Sequence, residues 1–366
     1  MLRKITASTI AFAMLLSLAG CTREQEPETS EPAESITSET EAAIPSESVP
    51  SEGSAYKLVP QGEDITAPIW LKIPNTVTLE KGDTFTVDNY LSYIDDRDAS
   101  VELTVTGEYD TSVIGEYPIN LTITDDAGNS ATGSFTLKII EPVTETQQST
   151  QPTEDTHTTI SYSDFVAKYD SDQVLLGIDV SKWQGEIDFN AVKAAGCDFV
   201  ILRAMVYNEG ELIEDSYFKT NLEQAKAAGL LVGVYIYTFG NTEEIIREHA
   251  DKLAELLDGE ELDFPVGYDW EAFKRFQQYN LSILDLNNLF YAFADEMSKY
   301  GYDTMLYSSK YYLETLWYPL TYDVWLAHYT EQTSYEGNYI LWQVNAIGRI
   351  DGIEGDVDID IYYKDR

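Results

Sequence analysis

From Val174 onward, strand-length apolar runs alternate with amphipathic helical stretches, and this alternation limits the fold more tightly than any other feature of the chain. The predicted strands are Leu175–Val180, Phe199–Ala204, Leu231–Phe239, Phe264–Glu271, Thr304–Ser309, Val324–Tyr329, Ile340–Val344 and Val357–Tyr363. The predicted helices are Phe189–Ala195, Tyr217–Ala228, Thr242–Leu257 and Ser282–Tyr300. In the third helix Ile246, Ala250, Leu253 and Leu257 share a face, and Asn241 with Glu244 has the form of a capping box. Apolar strands separated by helices build a parallel sheet with helices on its faces. Eight such strands within residues 174–366 predict an α/β fold, an irregular TIM-like (β/α) barrel whose late connections are too short for full helices. Active sites of such barrels lie at the C-terminal ends of the strands, which says where to look for chemistry.

The N-terminal half obeys a different period. Thr76–Leu79, Thr84–Val87, Val101–Val105, Tyr117–Ile123 and Ser134–Ile139 alternate apolar with polar residues between Gly, Asp and Asn turns. This predicts a separate all-β sandwich over residues 61–141, whose closing segment Gly115 to Asn129 resembles the last hairpin of bacterial immunoglobulin-like repeats. The acidic turn Asp125-Asp126-Ala127-Gly128-Asn129 suits calcium, yet turn chemistry alone accounts for Asp, Gly and Asn there. The expectation for the whole chain is therefore no metal and no cofactor. Residues 22–60 and 142–173 are dominated by Glu, Ser, Thr, Pro and Gln, too poor in apolar surface to offset ordering entropy, and are expected to be tethers.

Residues 1–21 have a basic start, a short apolar run and the ending Leu18-Ala19-Gly20-Cys21. This resembles a bacterial lipobox, which implies lipidation at Cys21 and an extracellular protein anchored to the outer face of the bacterial cell membrane. Cys197, the other of the two cysteines, is then expected to be a small buried hydrophobe, with no disulfide. The net charge of −41 argues against a nucleic-acid partner, because phosphate binding needs Lys and Arg to release counterions.

Carboxylates gather where the barrel rule points. Asp179 is near the end of the first barrel strand, Asp269 and Glu271 close the fourth, and Asp358 is in the last. Alternation sends Asp269 and Glu271 to one side of their strand, about 6.6 Å apart along it. Acidic residues in apolar strands are costly unless paired or working. Glycosidic acid–base chemistry and an all-carboxylate divalent-metal site both fit the set, but histidine gives the metal little help. Tyr235, Tyr237, Tyr307, Trp325, Tyr329 and Trp342 offer flat apolar surfaces for sugar rings, although each taken singly fits core packing as well.

Residues 174–366 resemble glycoside hydrolase family 25, the muramidases (lysozymes). The resemblance rests on Gly177-Ile178-Asp179-Val180-Ser181 with Gln184-Gly185, Asp198 to Ala204, Asp215 to Asn221, Gly233-Val234-Tyr235, Asp269-Trp270-Glu271, Leu341-Trp342-Gln343 and Val357-Asp358, in the family's order. It implies hydrolysis of the β-1,4 bond between N-acetylmuramic acid and N-acetylglucosamine, by a monomer whose partner is the glycan strand of peptidoglycan. By motif, Glu271 would be the general acid, Asp269 would orient or stabilise the reacting centre, and Asp179 and Asp358 would complete an acidic ring. Arg203 and Gln343 join the aromatics as expected substrate contacts. Met205 to Asn208, Ile236 and Val344 depart from the family's pattern without touching a carboxylate. The competing expectation is a catalytically silent wall-binding or adhesion protein built on the same barrel.

Overall fold

The computed structural model describes residues 58–59, 62–142, 159–208, 210–319 and 321–366. Cys21 and the first tether's acidic run lie outside the described residues. Among the described residues no helix is long and apolar enough to cross a membrane.

The sandwich comprises β1 (Ile69–Lys72), β2 (Thr76–Glu80), β3 (Ser92–Ile94), β4 (Glu102–Thr106), β5 (Gly115–Thr124) and β6 (Ser130–Ile140). A two-stranded sheet, β1–β3, faces a four-stranded sheet ordered β2–β6–β5–β4. The inward residues Ile119, Leu121 and Ile123 of β5 and Phe135, Leu137 and Ile139 of β6 are spaced by two, which is why alternation identified these strands. The predicted strand Thr84–Val87 does not form. Phe85 instead packs on Tyr90, Tyr109 and Phe135, and a single 3-10 turn follows at Val87–Tyr90.

Beyond the sandwich come β7 (Ile160–Ser161), α1 (Tyr162–Tyr169), β8 (Val174–Val180), α2 (Phe189–Ala194), β9 (Phe199–Asn208), β10 (Glu211–Glu214), α3 (Phe218–Ala227), β11 (Leu231–Thr238) and α4 (Glu243–Leu257). They are followed by β12 (Val266–Trp270), α5 (Phe276–Tyr279), α6 (Ile283–Ser298), β13 (Thr304–Ser309), α7 (Lys310–Thr315), β14 (Asp323–Ala327), β15 (Leu341–Arg349) and β16 (Val357–Tyr363). The second tether is thus shorter than the sequence suggested. β7 pairs with β15, and α1 buries Tyr162 and Phe165 against the barrel, its first turn capped by Ser161 accepting from the Asp164 amide.

Eight strands close the barrel in the order β9–β11–β12–β13–β14–β15–β16–β8, with β8 returning to β9. Their pairing is parallel except at β16, which runs antiparallel to both β15 and β8. A strict (β/α) alternation therefore fails at its last unit: β14 to β15 and β15 to β16 are joined without helices. The helix calculus elsewhere is ordinary. Ile246, Ala250, Leu253 and Leu257 of α4 are all buried, as their spacing predicts. The cap of α4 is Thr242, one residue later than expected, whose hydroxyl accepts the Ile245 amide while its backbone stays extended.

Strand alternation splits the apolar residues into two shells. Ile178, Leu202, Val234, Ile236, Leu306, Leu326 and Ile359 face the helices, whereas Phe199, Ile201, Tyr235, Met305, Tyr307, Trp325 and Leu341 fill the interior. Gly177 and Gly267 make room for that filling: a Cβ at Gly177 would meet the Phe199 ring at 2.5 Å, and one at Gly267 would meet Tyr235 Cβ at 2.9 Å. Cys197 is buried and free, its thiol donating to the Phe199 carbonyl, and burial pushes the thiol up to about 12.

Candidate active site

The antiparallel turn of β16 decides the site's shape. Because β16 runs against β8, its first residues sit beside the last of β8, and Asp358 stands directly opposite Asp179 in the ladder. Two strands away from β8, Tyr235 of β11 is level with Arg203 of β9 and Gly267 of β12, and Tyr237 is level with Asp269. The period of two sends Asp179, Arg203, Tyr235, Tyr237, Asp269, Asp358 and Asp360 to the interior together. The carboxylates converge on one point. Burial, first of all, pushes the Tyr235 hydroxyl well above the usual range, and the charges of Asp179, Asp269 and Asp358 push it further while Arg203 opposes them. Glu271 is the first residue beyond β12 and is partly exposed, where Asp269 is almost buried. The loop it opens passes through Phe273, stacked on Tyr312 at 3.7 Å.

A hydrogen-bonded spine stands under the acids. Tyr307 and Tyr329 each donate to Gln343 Oε1 at 2.8 Å, and Gln343 Nε2 donates to Asp179 Oδ2 at 2.6 Å. Both ends of the Gln343 amide are occupied and only 1% of its surface is exposed, so it holds Asp179 by a hydrogen bond from within the interior. Trp325 donates from Nε1 to Asp360 Oδ1 at 2.8 Å. Asp360 is fully buried, and desolvation, then the charge of Asp179, raises it well above the carboxylate range. That direction favours the protonated form of Asp360.

Several expected contacts move. Trp342 belongs to the outer shell, 3% exposed, donating to the His328 carbonyl and set edge-on to Tyr169 of α1, so it cannot face a glycan. Trp325 does point inward, but at 1% exposure it is the floor of the interior, set edge-on to Tyr235 and Tyr307. Arg203 is held through Nε and Nη2 by Asp215 Oδ2 at 2.8 and 2.7 Å. That carboxylate also accepts the Lys182 and Tyr217 amides, so the pair pins the β8–α2 loop. Tyr237 and Tyr329 keep partly exposed rings at the acidic end. Asp215 and Asp360 went unassigned in the sequence, although Asp360 follows Asp358 by two and had to share its face. Trp183, 61% exposed just beyond β8 under the Lys182 ammonium, is a further ring that sequence left unassigned.

Residues 178–353 match the family model described as glycosyl hydrolases family 25. Over that stretch the barrel is similar to glycosyl hydrolases family 25. Residues 69–139 match the model of the bacterial surface protein Ig-like domain. Around the family 25 barrel, the chain is 30% identical over 187 residues to the autolytic lysozyme of Clostridium acetobutylicum, covering 50% of this chain and 54% of that protein. It is 30% identical over 196 residues to Lysozyme M1 of Streptomyces globisporus, covering 50% of this chain and 65% of that protein. The chain thus spans about half the length of the clostridial relative. Among solved structures, the lysozyme of Streptomyces coelicolor shares 24% identity over 53% of this chain and 94% of its own, with a TM-score of 0.43. The autolysin LytC of Streptococcus pneumoniae, solved with a synthetic peptidoglycan ligand, shares 22% identity over 67% of this chain and 56% of its own, with a TM-score of 0.47.

Proposed function

We propose that this protein is a peptidoglycan hydrolase, an N-acetylmuramidase that cleaves the β-1,4 bond between N-acetylmuramic acid and N-acetylglucosamine. The observation that carries the proposal is the convergence of Asp179, Asp269 and Asp358 on the Tyr235 hydroxyl at one end of the family 25 barrel, with Glu271 beside them. In this mechanism Glu271, the more exposed acid, protonates the leaving glycosidic oxygen. Asp269, held almost out of water, stabilises the positive charge that develops at the sugar's anomeric carbon, either directly or through the 2-acetamido group. Asp179, fixed by Gln343, and Asp358 maintain the negative field in which that charge forms. Tyr237 and Tyr329 provide ring faces for the glycan, and Asp360 keeps Asp179 in place from below as a neutral donor. The chain acts as a monomer on glycan strands outside the cell, tied to the membrane by a lipid on Cys21, a placement supported by the sequence of residues 1–21.

The test is digestion of purified peptidoglycan by the protein, followed by reduction and mass spectrometry of the fragments. Reduced N-acetylmuramic acid ends are the expected product. Reduced N-acetylglucosamine ends would identify a different bond, and a folded protein that sediments with the wall but releases nothing would leave only a binding role.

A further inference from the structure

At the pole of the sandwich nearest the barrel, four aspartates from three separate segments meet. Asp64 precedes β1, Asp95 and Asp98 follow β3, and Asp125 opens the β5–β6 turn. Each offers one carboxylate oxygen, and the four oxygens lie within 4.8 Å of one another. Backbone amides fix the carboxylates: Asp64 Oδ1 accepts Thr66, Asp95 Oδ2 accepts both Arg97 and Asp98, Asp98 Oδ2 accepts Asp126, and Asp125 Oδ1 accepts Asn129.

The decisive observation is what these bonds leave over. Asp95 is only 1% exposed, and its Oδ1 has no hydrogen-bond partner. Asp64 Oδ2 is likewise shut off from solvent with no partner. A buried, unsatisfied carboxylate oxygen is expensive, and two of them in one acidic nest call for a positive ligand.

We propose that Asp64, Asp95, Asp98 and Asp125 form a calcium site at the junction of the sandwich with the barrel. Calcium takes oxygen ligands at 2.3–2.6 Å, so oxygens on opposite sides of one ion stand roughly 4.6–5.2 Å apart, a span this nest accommodates. Carboxylates on loops, in no rigid octahedron, suit calcium better than magnesium, which demands shorter and more regular bonds. The expectation of a metal-free chain is revised for this domain.

The location gives the ion a purpose. The first amides of α6 in the barrel, those of Ile283 and Leu284, donate to the carbonyls of Asp95 and Asp96 at 2.8 and 3.0 Å. Ser92 Oγ donates to the Phe273 carbonyl at 3.2 Å, and Gln277 Nε2 donates to the Tyr93 carbonyl. The same loop that caps a barrel helix is therefore the loop the ion would fix, and the barrel segment it grips begins two residues after Glu271. Calcium would lock the sandwich to the barrel.

The experiment uses the full chain, stripped with a chelator and titrated with calcium chloride by calorimetry, with thermal unfolding measured in parallel. One saturable site per chain is expected, with Kd of about 0.1–1 mM or tighter, as in other extracellular modules. The thermal midpoint should rise by several degrees in saturating calcium and less in equal magnesium. Asp64→Asn and Asp95→Asn should each weaken calcium at least about tenfold, the cost of removing one charged ligand. Asp95→Asn should at the same time raise the midpoint of the metal-free protein, because it removes a crowded charge, whereas a purely structural Asp95 would make that variant less stable. Asp110→Asn, in an exposed turn of the same sandwich, should bind calcium as the parent does. No saturable heat and no shift in midpoint with a folded parent protein, or undiminished binding by both nest variants, would overturn the site.

Discussion

Asp360→Asn tests whether a carboxyl group at the base of the site is neutral. Asp360 has no exposed surface, accepts from Trp325 Nε1 at 2.8 Å and is pushed well above the usual carboxylate range by burial and by Asp179. An asparagine has the shape of the protonated acid: its carbonyl can accept from Trp325 and its amide can donate to Asp179. In the parent, folding holds a proton that the unfolded chain releases above about pH 3.9, so the native state loses stability as pH rises from there toward the raised folded value. The slope for one proton approaches about 1.36 kcal/mol per pH unit once the unfolded carboxyl has ionised, so Asp360→Asn should gain up to about 2.4 kcal/mol on the parent between pH 4 and pH 6. Groups common to both proteins cancel in that difference. Urea unfolding of both chains at the two pH values, followed by circular dichroism, measures it. Asp360→Ala, which strands the Trp325 N–H and leaves a void, should instead lose about 2–4 kcal/mol. A parent-minus-variant difference that does not change with pH would refute the neutral assignment.

Glu271→Gln should lower kcat at least about a hundredfold with the thermal midpoint unchanged, and Asp269→Asn should reduce kcat far more than it raises KM; turbidity loss of cell walls reads both. Trp342→Ala should destabilise the barrel by about 3–5 kcal/mol while leaving KM alone, whereas Tyr329→Phe, which removes one of two donors to Gln343, should reduce kcat with little loss of stability; denaturant melts alongside kinetics separate the two. His249, buried with Nδ1 on the Thr238 hydroxyl, is lowered to about 4, chiefly by burial. The unfolded chain takes up its proton first, so stability should fall as pH drops from about 6.5 through 4, by about 3 kcal/mol in all, and His249→Gln should flatten that part of the profile in urea melts.

The barrel's strands and main helices were legible because their apolar spacing reports burial on both faces of a sheet. Direction was not legible. The run Val357–Tyr363 reads equally well as a parallel strand, and only its pairing with β8 shows it reversed. Alternation also contained information that composition obscured: Trp342 and Gln343 are neighbours, so one had to face outward, and Asp360 had to accompany Asp358 inward. Helix α1 was hidden by the polar stretch before it, although Ser161 and Asp164 carry its cap. The aspartate nest depends on residues 64, 95, 98 and 125, brought together by sheet topology that no local pattern encodes.

The reversed β16 has a consequence for the order in which the molecule becomes competent. It is the last of the eight barrel strands to leave the ribosome, and it fills the gap between the first, β8, and the seventh, β15. Until it arrives the ring is an open sheet with two bare edges, the form of β structure most prone to pairing with other chains. The same strand delivers Asp358 and Asp360, so closure of the ring and completion of the acidic centre are a single event. A nascent or prematurely terminated chain lacks Asp358 and Asp360, and a nick that releases β16 would take both out of the acidic centre by reopening the ring.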